Sequence, residues 1–429
     1  MSLPEGVKIV DISFVDIYGI PKVQTIPASE YEKAVENGIT FDGSSIEAFV
    51  RISESDMRIK PNPNTLKKLY WNKKKAVVFG DVYRNDEPFE GDPRFILKRA
   101  ENKARLMGFG FYTGPEFEFY ITKLDGNGRP VPQKDRKGYF DHSPASEIAN
   151  LRDELMEALE EMDITPESSH HECGEGQHEI DIKYDKALKT ADNIILTKIA
   201  IRELAARKNL SVTFMPKLSK DAYGSGMHTN MSLWENKKVN SFYDENREFG
   251  LSKTAEHFIA GLLKHARAIT AISNPTINSY KRLMPGYEAP VYITWGRGNR
   301  SDLIRVPNTF GDWKKTRIEY RSTDPLCNPY LTFAVQLWAG LDGIEKEMEP
   351  PEIFRGNIYE LSEKEIEEAG IEILPRSLGE ALKEMKNDLV VKEALGKHMF
   401  DEYIKAKKNE IDAFNKYVTD WEIDKYFDM

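Results

Sequence analysis

The run Gly114-Pro115-Glu116-Phe117-Glu118-Phe119-Tyr120 constrains the fold more than any other segment of this chain. In an extended strand residues two apart share a face, so Phe117 and Phe119 point to one side while Glu116 and Glu118 point to the other. The segment asks for a sheet with one packed face and one polar face that carries two neighbouring carboxylates. In a half-buried sheet such a pair is costly unless a cation compensates or one carboxyl keeps its proton, so ligation of a hard divalent metal is a physical expectation. A solvent-facing strand edge is the plainer reading of the same residues.

A second acidic segment runs His170-His171-Glu172-Cys173-Gly174-Glu175-Gly176-Gln177-His178-Glu179-Ile180-Asp181, and three of the eight histidines of the chain fall in it. Gly-Glu-Gly suits a tight turn between strand-like flanks, which would bring Glu172 near Glu179 across a hairpin. Carboxylates facing each other there repel without a cation. A metal-binding hairpin and a metal-free surface turn are both open on this segment alone.

Two further segments add donors. In Gly224-Ser225-Gly226-Met227-His228-Thr229-Asn230-Met231-Ser232 the glycines allow close backbone approach to a ligand, and strand alternation places His228, Asn230 and Ser232 on one face. A structural histidine is the alternative there. The stretch from Asn274 through Arg282 and Glu288 to Pro290 has turn residues at both ends and no sustained period, as expected of a long ordered loop used as a substrate flap. Arg297, Arg300, Arg305, Arg317 and Arg321 then follow closely, a density of planar guanidinium groups that suits phosphate and carboxylate recognition. Arg317, Glu319 and Arg321 alternate onto one face, where a surface salt-bridge ladder is the competing reading.

Carboxylates in separate segments, a glycine–histidine strand and an arginine array together suggest metal-assisted phosphoryl transfer, although the chain has neither a Walker A motif nor a GxGxxG loop. Composition narrows the partners. With 60 Lys+Arg against 70 Asp+Glu the net charge is −10, which argues against sequence-independent nucleic-acid binding and against an anionic membrane surface. Only two cysteines occur, Cys173 and Cys327, too few for a disulfide scaffold and consistent with a reducing compartment. The N-terminus lacks the pattern of a secretory leader, and the most membrane-like stretch, 257–272, carries His257, Lys264, His265 and Arg267 and reads as an amphipathic helix. A cytoplasmic location is expected.

At 429 residues the chain has room for two or three domains. The first ninety residues hold short β-like runs and one short helix in SEYEKAVENG, with Ser29 as its cap and Gly38 as its stop. The stretch KPNPNTLKKLYWNKKK reads as a solvated loop. At Asp92-Pro93 a helix cap and a first-turn proline open a helical pattern, so the boundary is set there, giving domains 1–91 and 92–429. Beyond it, helical segments at 143–162, 190–208, 252–272, 329–347 and 377–415 alternate with the strand-like motif segments. The fold class is α+β, a small mixed-β domain followed by a large α+β domain.

The chain resembles a type I (bacterial/archaeal) glutamine synthetase of the shorter alpha-like subgroup over essentially its whole length. The motifs that carry the resemblance are FDGSS at 41–45, GPEFEF at 114–119, HHE and GQHEID within 170–181, GSGMH at 224–228, NPT and SYKRLMPGYEAP within 274–290, NRSDLIRVP at 299–307, and RIEYR, DP and NPYL within 317–331. The resemblance implies a β-grasp-like N-terminal domain, a glutamine-synthetase/guanido-kinase-like catalytic domain and a dodecamer of two stacked hexamers with active sites between subunits. It implies glutamine made from glutamate, ammonium and ATP through γ-glutamyl phosphate, with two to three Mg²⁺ or Mn²⁺ ions per site.

Carried onto matching positions, the resemblance assigns Glu118, Glu172 and Glu179 to the metal nearer the amino acid, and Glu116, His228 and Glu319 to the metal nearer the ATP phosphates. Arg282, Arg321 and Gly224 would bind glutamate; Arg300, Arg305 and Arg317 would face the phosphates; Tyr184, Ser232 and Lys314 would lie near the nucleotide. Asp42, from a neighbouring subunit, would bind ammonium and take its proton, and Glu288 would close the flap over the acyl phosphate. The tail YVTDWEIDKYFDM resembles the family segment that packs across the ring interface.

The sequence departs from the family pattern at Tyr223, where Asn usually precedes GSGMH. A γ-glutamyl ligase that uses a polyamine or ethanolamine is therefore an alternative, as is a catalytically dead structural or regulatory ring, although Asp42, Arg282, Glu288 and the six metal positions are intact. Tyr359 lies where some relatives are adenylylated, a modification not expected in this subgroup. Arg51 resembles a position linked to glutamine feedback, and a nitrogen-regulatory protein partner is open.

Overall fold

The computed structural model describes residues 2–49, 55–132, 135, 137–142, 147–285, 289–353 and 358–429, and its strands fall into two sheets. The first is built from β1 (Ile9–Val15), β2 (Pro21–Pro27), β3 (Ile39–Asp42), β4 (Asp56–Pro61), β5 (Lys67–Leu69), β6 (Asn72–Arg84) and β7 (Glu87–Pro88). Its order is β2-β1-β6-β4-β3, with β5 and β7 also paired to β6. β1 and β6 run parallel, and their residues Val10, Ile12, Ala76 and Val78 pack with Tyr31 and Ala34 of helix α1 (Tyr31–Asn37). The opposite face, with Val15, Val77 and Phe79, belongs to the core of the rest of the chain. Burial on both faces is why these strands read as nearly unbroken apolar runs.

Two sequence expectations change here. Ser29 does not cap α1: the chain enters through a 3-10 turn at Ala28–Glu30, and no side chain caps the helix. The lysine-rich stretch is not simply a loop, because after the 3-10 turn Pro63–Thr65 it forms β5 and the start of β6. Its lysines find acids far away in sequence, Lys67 with Asp163 and Lys73 with Glu161, which no local pattern reveals.

The second sheet contains β8 (Phe109–Leu124), β9 (Pro130–Pro132), β10 (Pro166–His171), β11 (Gln177–Ile182), β12 (Asp185–Lys186), β13 (Ser211–Thr213), β14 (Met227–Glu235), β15 (Val239–Asn240), β16 (Tyr292–Arg297), β17 (Asp302–Val306) and β18 (Ile318–Tyr320). Its main path is β10-β11-β8-β14-β18-β17-β16. Among the described residues the helices here are α2 (Pro93–Leu106), α3 (Glu147–Glu161), α4 (Ala187–Arg207), α5 (Lys253–Ser273), α6 (Ser279–Arg282) and α7 (Pro329–Glu345), with five more after residue 362. Phe111, Phe117 and Phe119 of β8 share a core with α2, α4, α5 and α7, which leaves the other face of β8 for the carboxylates.

Caps set the helix starts. Asp92 accepts from the Arg94 amide and Asn328 from those of Tyr330 and Leu331, each followed by a first-turn proline. Asn328 also donates to the carbonyls of Asp16 and Ile17, tying the N-terminal sheet to α7. The stretch 377–415 is three helices rather than one, Leu378–Asn387, Leu389–Leu395 and Lys397–Asn415. It breaks at Asp388, which caps the second, and at Gly396 with φ +75°. Residues 143–146, at the start of the expected helical segment 143–162, and the expected functional positions Arg51 and Glu288 lie outside the described residues. Among the described residues no helix is long and apolar enough to cross a membrane.

His265 on α5 links three helical segments: its Nδ1 is 2.6 Å from Asp388 Oδ2 and its Nε2 3.1 Å from Asp342 Oδ2. Burial works against its charged form, but the hydrogen bonds and charges of Asp388 and Asp342 together outweigh it and raise the pKa above the ordinary histidine value. A raised folded-state pKa means that this stabilisation is complete below about pH 6.5 and is lost as pH rises through the folded value. His265→Leu would remove the cation shared by two buried carboxylates, leaving Asp342 with Lys346 and Asp388 with the Val390 and Val391 amides, and is expected to cost about 3 kcal/mol. The check is urea unfolding between pH 5 and 9: the variant should have a lower midpoint and lose the fall in stability with rising pH.

Candidate active site

Strand register brings the polar side chains together from positions far apart in sequence. Glu118 stands opposite Glu179 and Glu116 opposite Asp181 between β8 and β11; Glu116 stands opposite His228 between β8 and β14. Asn230 pairs with Glu319 on β18, and Glu319 with Arg305 on β17. One continuous polar face results.

Two groups on it have ligand-type atoms within 4.8 Å of one another: Glu116 with His228 and Glu319, and His170 with Glu172 and Glu179. The first is the trio expected from sequence. His228 Nδ1 lies 3.3 Å from Glu319 Oε1 and 3.7 Å from Glu116 Oε2. In the second, His170 stands where Glu118 was expected, with Nε2 2.9 Å from Glu172 Oε1 and 3.8 Å from Glu179 Oε1. Glu118 instead accepts hydrogen bonds from Gln177 Nε2 at 3.0 Å and from the Gly226 amide at 3.1 Å.

Charge is unbalanced on this face. Burial raises the pKa of Glu118, and it raises that of Glu179, where the Glu118 charge adds to the effect. Burial raises Asp181 to about 6, with Glu116 adding to the shift and Ser168 offsetting part of it. Burial opposes ionisation of Glu116 too, yet His228, Asn230 and Arg305 overcome it and hold the carboxyl down to about 2. At Glu172 burial is likewise the largest influence, and the contact with His170, the Cys173 amide and the charge of His228 together overcome it and lower the pKa. A face of oxygen donors that must otherwise share protons fits a hard divalent cation.

Guanidinium groups border the acids. Glu319, fully buried, has Oε2 2.7 Å from Arg305 Nε and Oε1 accepting from Arg321 Nε at 3.1 Å. Arg321 also donates to the Arg300 carbonyl, and the Arg300 guanidinium lies 5.7 Å from the Tyr139 ring centroid. Arg317 Nε donates to Asn230 Oδ1 at 2.9 Å. Arg282, 5% exposed, is held by the carbonyls of Ser322, Thr323 and Arg321. Glu118, Glu172, Gly224, Arg282 and Arg321 all line one cavity of about 420 Å³. Tyr223 lines it as well, and so does Ala289, the neighbour of Glu288.

The residues expected near a nucleotide lie further along the sheet. Ser232 Oγ accepts from Trp234 Nε1 at 3.0 Å; Tyr184 is 45% exposed, with its ring 6.2 Å from that of Tyr112; Lys314 is exposed beside Trp313. An aromatic row that sequence reasoning missed continues from them, Tyr112 to Trp234 at 6.0 Å and Trp234 to Trp313 at 6.1 Å. Its only local signal is Trp234, two positions beyond Ser232 and hence on the same face. Asp42 is exposed on the N-terminal sheet, its Oδ1 accepting from the Ser44 amide and hydroxyl, which lowers its pKa. It does not line the cavity of its own chain.

Gly226 has no room for a side chain: a Cβ would sit 2.6 Å from Arg282 Nη2 and 2.9 Å from His228 Nε2. Gly226→Ala is expected to displace both groups and lower turnover about 10²-fold, the effect of roughly 1 Å of misplacement. Steady-state kinetics beside an unchanged melting temperature is the check.

Residues 6–85 match the glutamine synthetase β-grasp domain, and residues 90–426 match the glutamine synthetase catalytic domain. The chain belongs to the glutamine synthetase family. It is 48% identical to the glutamine synthetase of Thermotoga maritima over 98% of this chain and 97% of that one. It is also 48% identical to that of Methanosarcina mazei, over 99% and 95%. Among solved structures, apo GmaS without ligand superposes with a TM-score of 0.91 at 31% identity, covering 99% of this chain and 98% of that one. A Plasmodium falciparum glutamine synthetase gives 0.85 at 28%, covering 98% and 96%. The function of the glutamine synthetase family is ATP-dependent glutamine synthesis, which makes this chain a ligase and implies use of ATP and a divalent metal. The oxygen-rich face with its two histidines fits such a metal.

Proposed function

We propose that this chain joins glutamate to ammonia through γ-glutamyl phosphate, with domain 1–91 acting as the β-grasp unit and 92–429 as the catalytic unit. The observation that carries the reading is Glu319, set between Arg305 and Arg321 while Arg321 also lines the cavity shared with Arg282, Glu118 and Glu172. One site can thereby meet a phosphate chain on one side and an amino acid on the other. Mg²⁺ or Mn²⁺, bound by Glu116, His228 and Glu319 and by Glu118, Glu172 and Glu179, would supply charge neutralisation for the phosphates. His170 is a further donor to the second set.

The residues of this chain do the positioning. Arg282 binds the glutamate α-carboxylate, with Gly224 giving backbone access and Arg321 facing the substrate. Arg300, Arg305 and Arg317 hold the transferred phosphoryl group and its neighbours, stabilising charge that grows in the transition state. Tyr184, Ser232 and Lys314 face the nucleoside, where the exposed Tyr184 ring offers a stacking surface. Glu288, beside the cavity-lining Ala289, closes the flap, excludes water from the acyl phosphate and helps deprotonate the adduct.

Asp42 of a neighbouring subunit takes the ammonium proton, in a dodecamer of two stacked hexamers in the cytoplasm. Its exposure in a single chain supports that assignment, as does the apolar tail, where Trp421 is 62% and Phe427 83% exposed. A nitrogen-regulatory protein is a possible partner of that ring.

Tyr223 at the cavity keeps a second acceptor in view, a polyamine or ethanolamine. Phosphate release from ATP with glutamate and Mg²⁺ is the test, run with ammonium, putrescine and ethanolamine in parallel. Ammonium-dependent release with glutamine as product is expected; release with an amine alone would transfer the reading to the second acceptor.

A further inference from the structure

We propose that Asp135, His171 and His178 form a binding site for a divalent transition metal, Zn²⁺ above the others, separate from the active-site carboxylates. Alternation along β10 and β11 places His170 and Glu179 on the catalytic face and sends the adjacent His171 and His178 to the other side of the same hairpin. There the three side chains offer ligand-type atoms within 4.8 Å of one another.

Hydrogen-bond accounting points to a cation. His171 Nδ1 lies 2.6 Å from the Glu172 carbonyl, which only accepts, so that nitrogen carries a proton. In the neutral ring Nε2 then presents a lone pair, and it faces Asp135 Oδ2 at 2.8 Å, acceptor against acceptor. His178 is fully buried, and among the described residues neither of its ring nitrogens has a hydrogen-bond partner. A metal ion resolves the first irregularity and gives one of the two His178 nitrogens a partner, and His171, with its other N–H held by a backbone carbonyl, has the arrangement that ligating histidines use. Two imidazoles and one carboxylate, with a fourth position left for water, suit Zn²⁺. Ligand separations near 3.4 Å, expected for bonds of roughly 2.0–2.1 Å, require the three groups to shift by less than about 1 Å.

The rival arrangement is a doubly protonated His171 paired with Asp135. Arg152 on α3, which acts electrostatically on both Asp135 and His178, contributes positive charge to that arrangement. It leaves both nitrogens of His178 unsatisfied.

Such a metal would work as a staple. Asp135 begins the stretch that carries Phe140, stacked on His170 at 4.4 Å, and Tyr139, 5.5 Å from the same ring. Its Oδ1 also accepts from the Gly176 amide at the hairpin turn. Pinning Asp135 to the hairpin would hold this cover over the donors of the opposite face.

The test uses the full chain, freed of metal and crystallised with Zn²⁺, with diffraction recorded on both sides of the zinc edge. An anomalous peak about 2.0–2.2 Å from His171 Nε2, a His178 nitrogen and an Asp135 oxygen is expected, whatever binds at the carboxylates. No peak between these three side chains overturns the proposal. In solution, Asp135→Asn and His178→Gln are each expected to bind one equivalent of Zn²⁺ per chain fewer than the unmodified protein; equal stoichiometry overturns it independently. Both readouts are free of activity, so they stand apart from the ligase reading.

Discussion

Glu319→Gln is expected to lower the rate of ATP-dependent glutamine formation by about 10³-fold, about 4 kcal/mol of transition-state stabilisation. Glu319 is fully buried, 3.3 Å from His228, 3.1 Å from Arg321 and 2.7 Å from Arg305. The amide keeps the shape of the side chain and removes the charge that organises all three neighbours. The metal trio loses an anionic donor, and the two guanidinium groups lose the carboxylate that fixes their direction. Affinity for Mn²⁺ is expected to fall along with turnover, measurable by titration of the metal-free protein. Glu319→Asp, which keeps the charge at a shorter reach, should recover part of both. If Glu319→Gln bound Mn²⁺ and turned over like the unmodified protein, the assignment of this trio would be wrong.

Arg282→Lys should act mainly on KM for glutamate, raising it about 10²-fold, equivalent to about 2.7 kcal/mol, while kcat changes less. Arg282 is buried with its guanidinium spread over the carbonyls of Ser322, Thr323 and Arg321. A lysine ammonium cannot reproduce that planar, multiply anchored group in the cavity wall. Glutamate saturation curves at fixed ATP separate the outcomes. A fall in kcat with KM unchanged would place Arg282 in the transition state rather than on the amino acid.

The parts of the site legible in the sequence are those in which one strand supplies the pattern. The alternation at Glu116 to Phe119 foretold the two faces of β8, and Gly-Glu-Gly foretold the turn that joins Glu172 to Glu179. What one strand cannot show is its neighbour's register. The meeting of His170 with Glu172 and Glu179, and the placing of Asp181 opposite Glu116, both depend on pairing across the sheet. The lysine-rich stretch became strand for the same reason, since β6 offers it backbone partners and distant acids neutralise it. The aromatic row from Tyr112 to Trp313 joins segments some two hundred residues apart. Along 377–415 the helical pattern predicts one segment, and it breaks where an extended Asp388 caps a new helix and where Gly396 takes a positive φ, a cap and a glycine stop inside the segment that the pattern passes over.

Oxygen exchange tests the central claim most directly. Glutamate carrying ¹⁸O in its γ-carboxylate is turned over with ATP, ammonium and Mg²⁺, and the released phosphate is analysed by mass spectrometry. Attack of the γ-carboxylate on the terminal phosphoryl group, followed by displacement by ammonia, predicts one ¹⁸O in each phosphate released. Phosphate that takes its new oxygen from water instead would make the chain a hydrolase of ATP and contradict the ligase account.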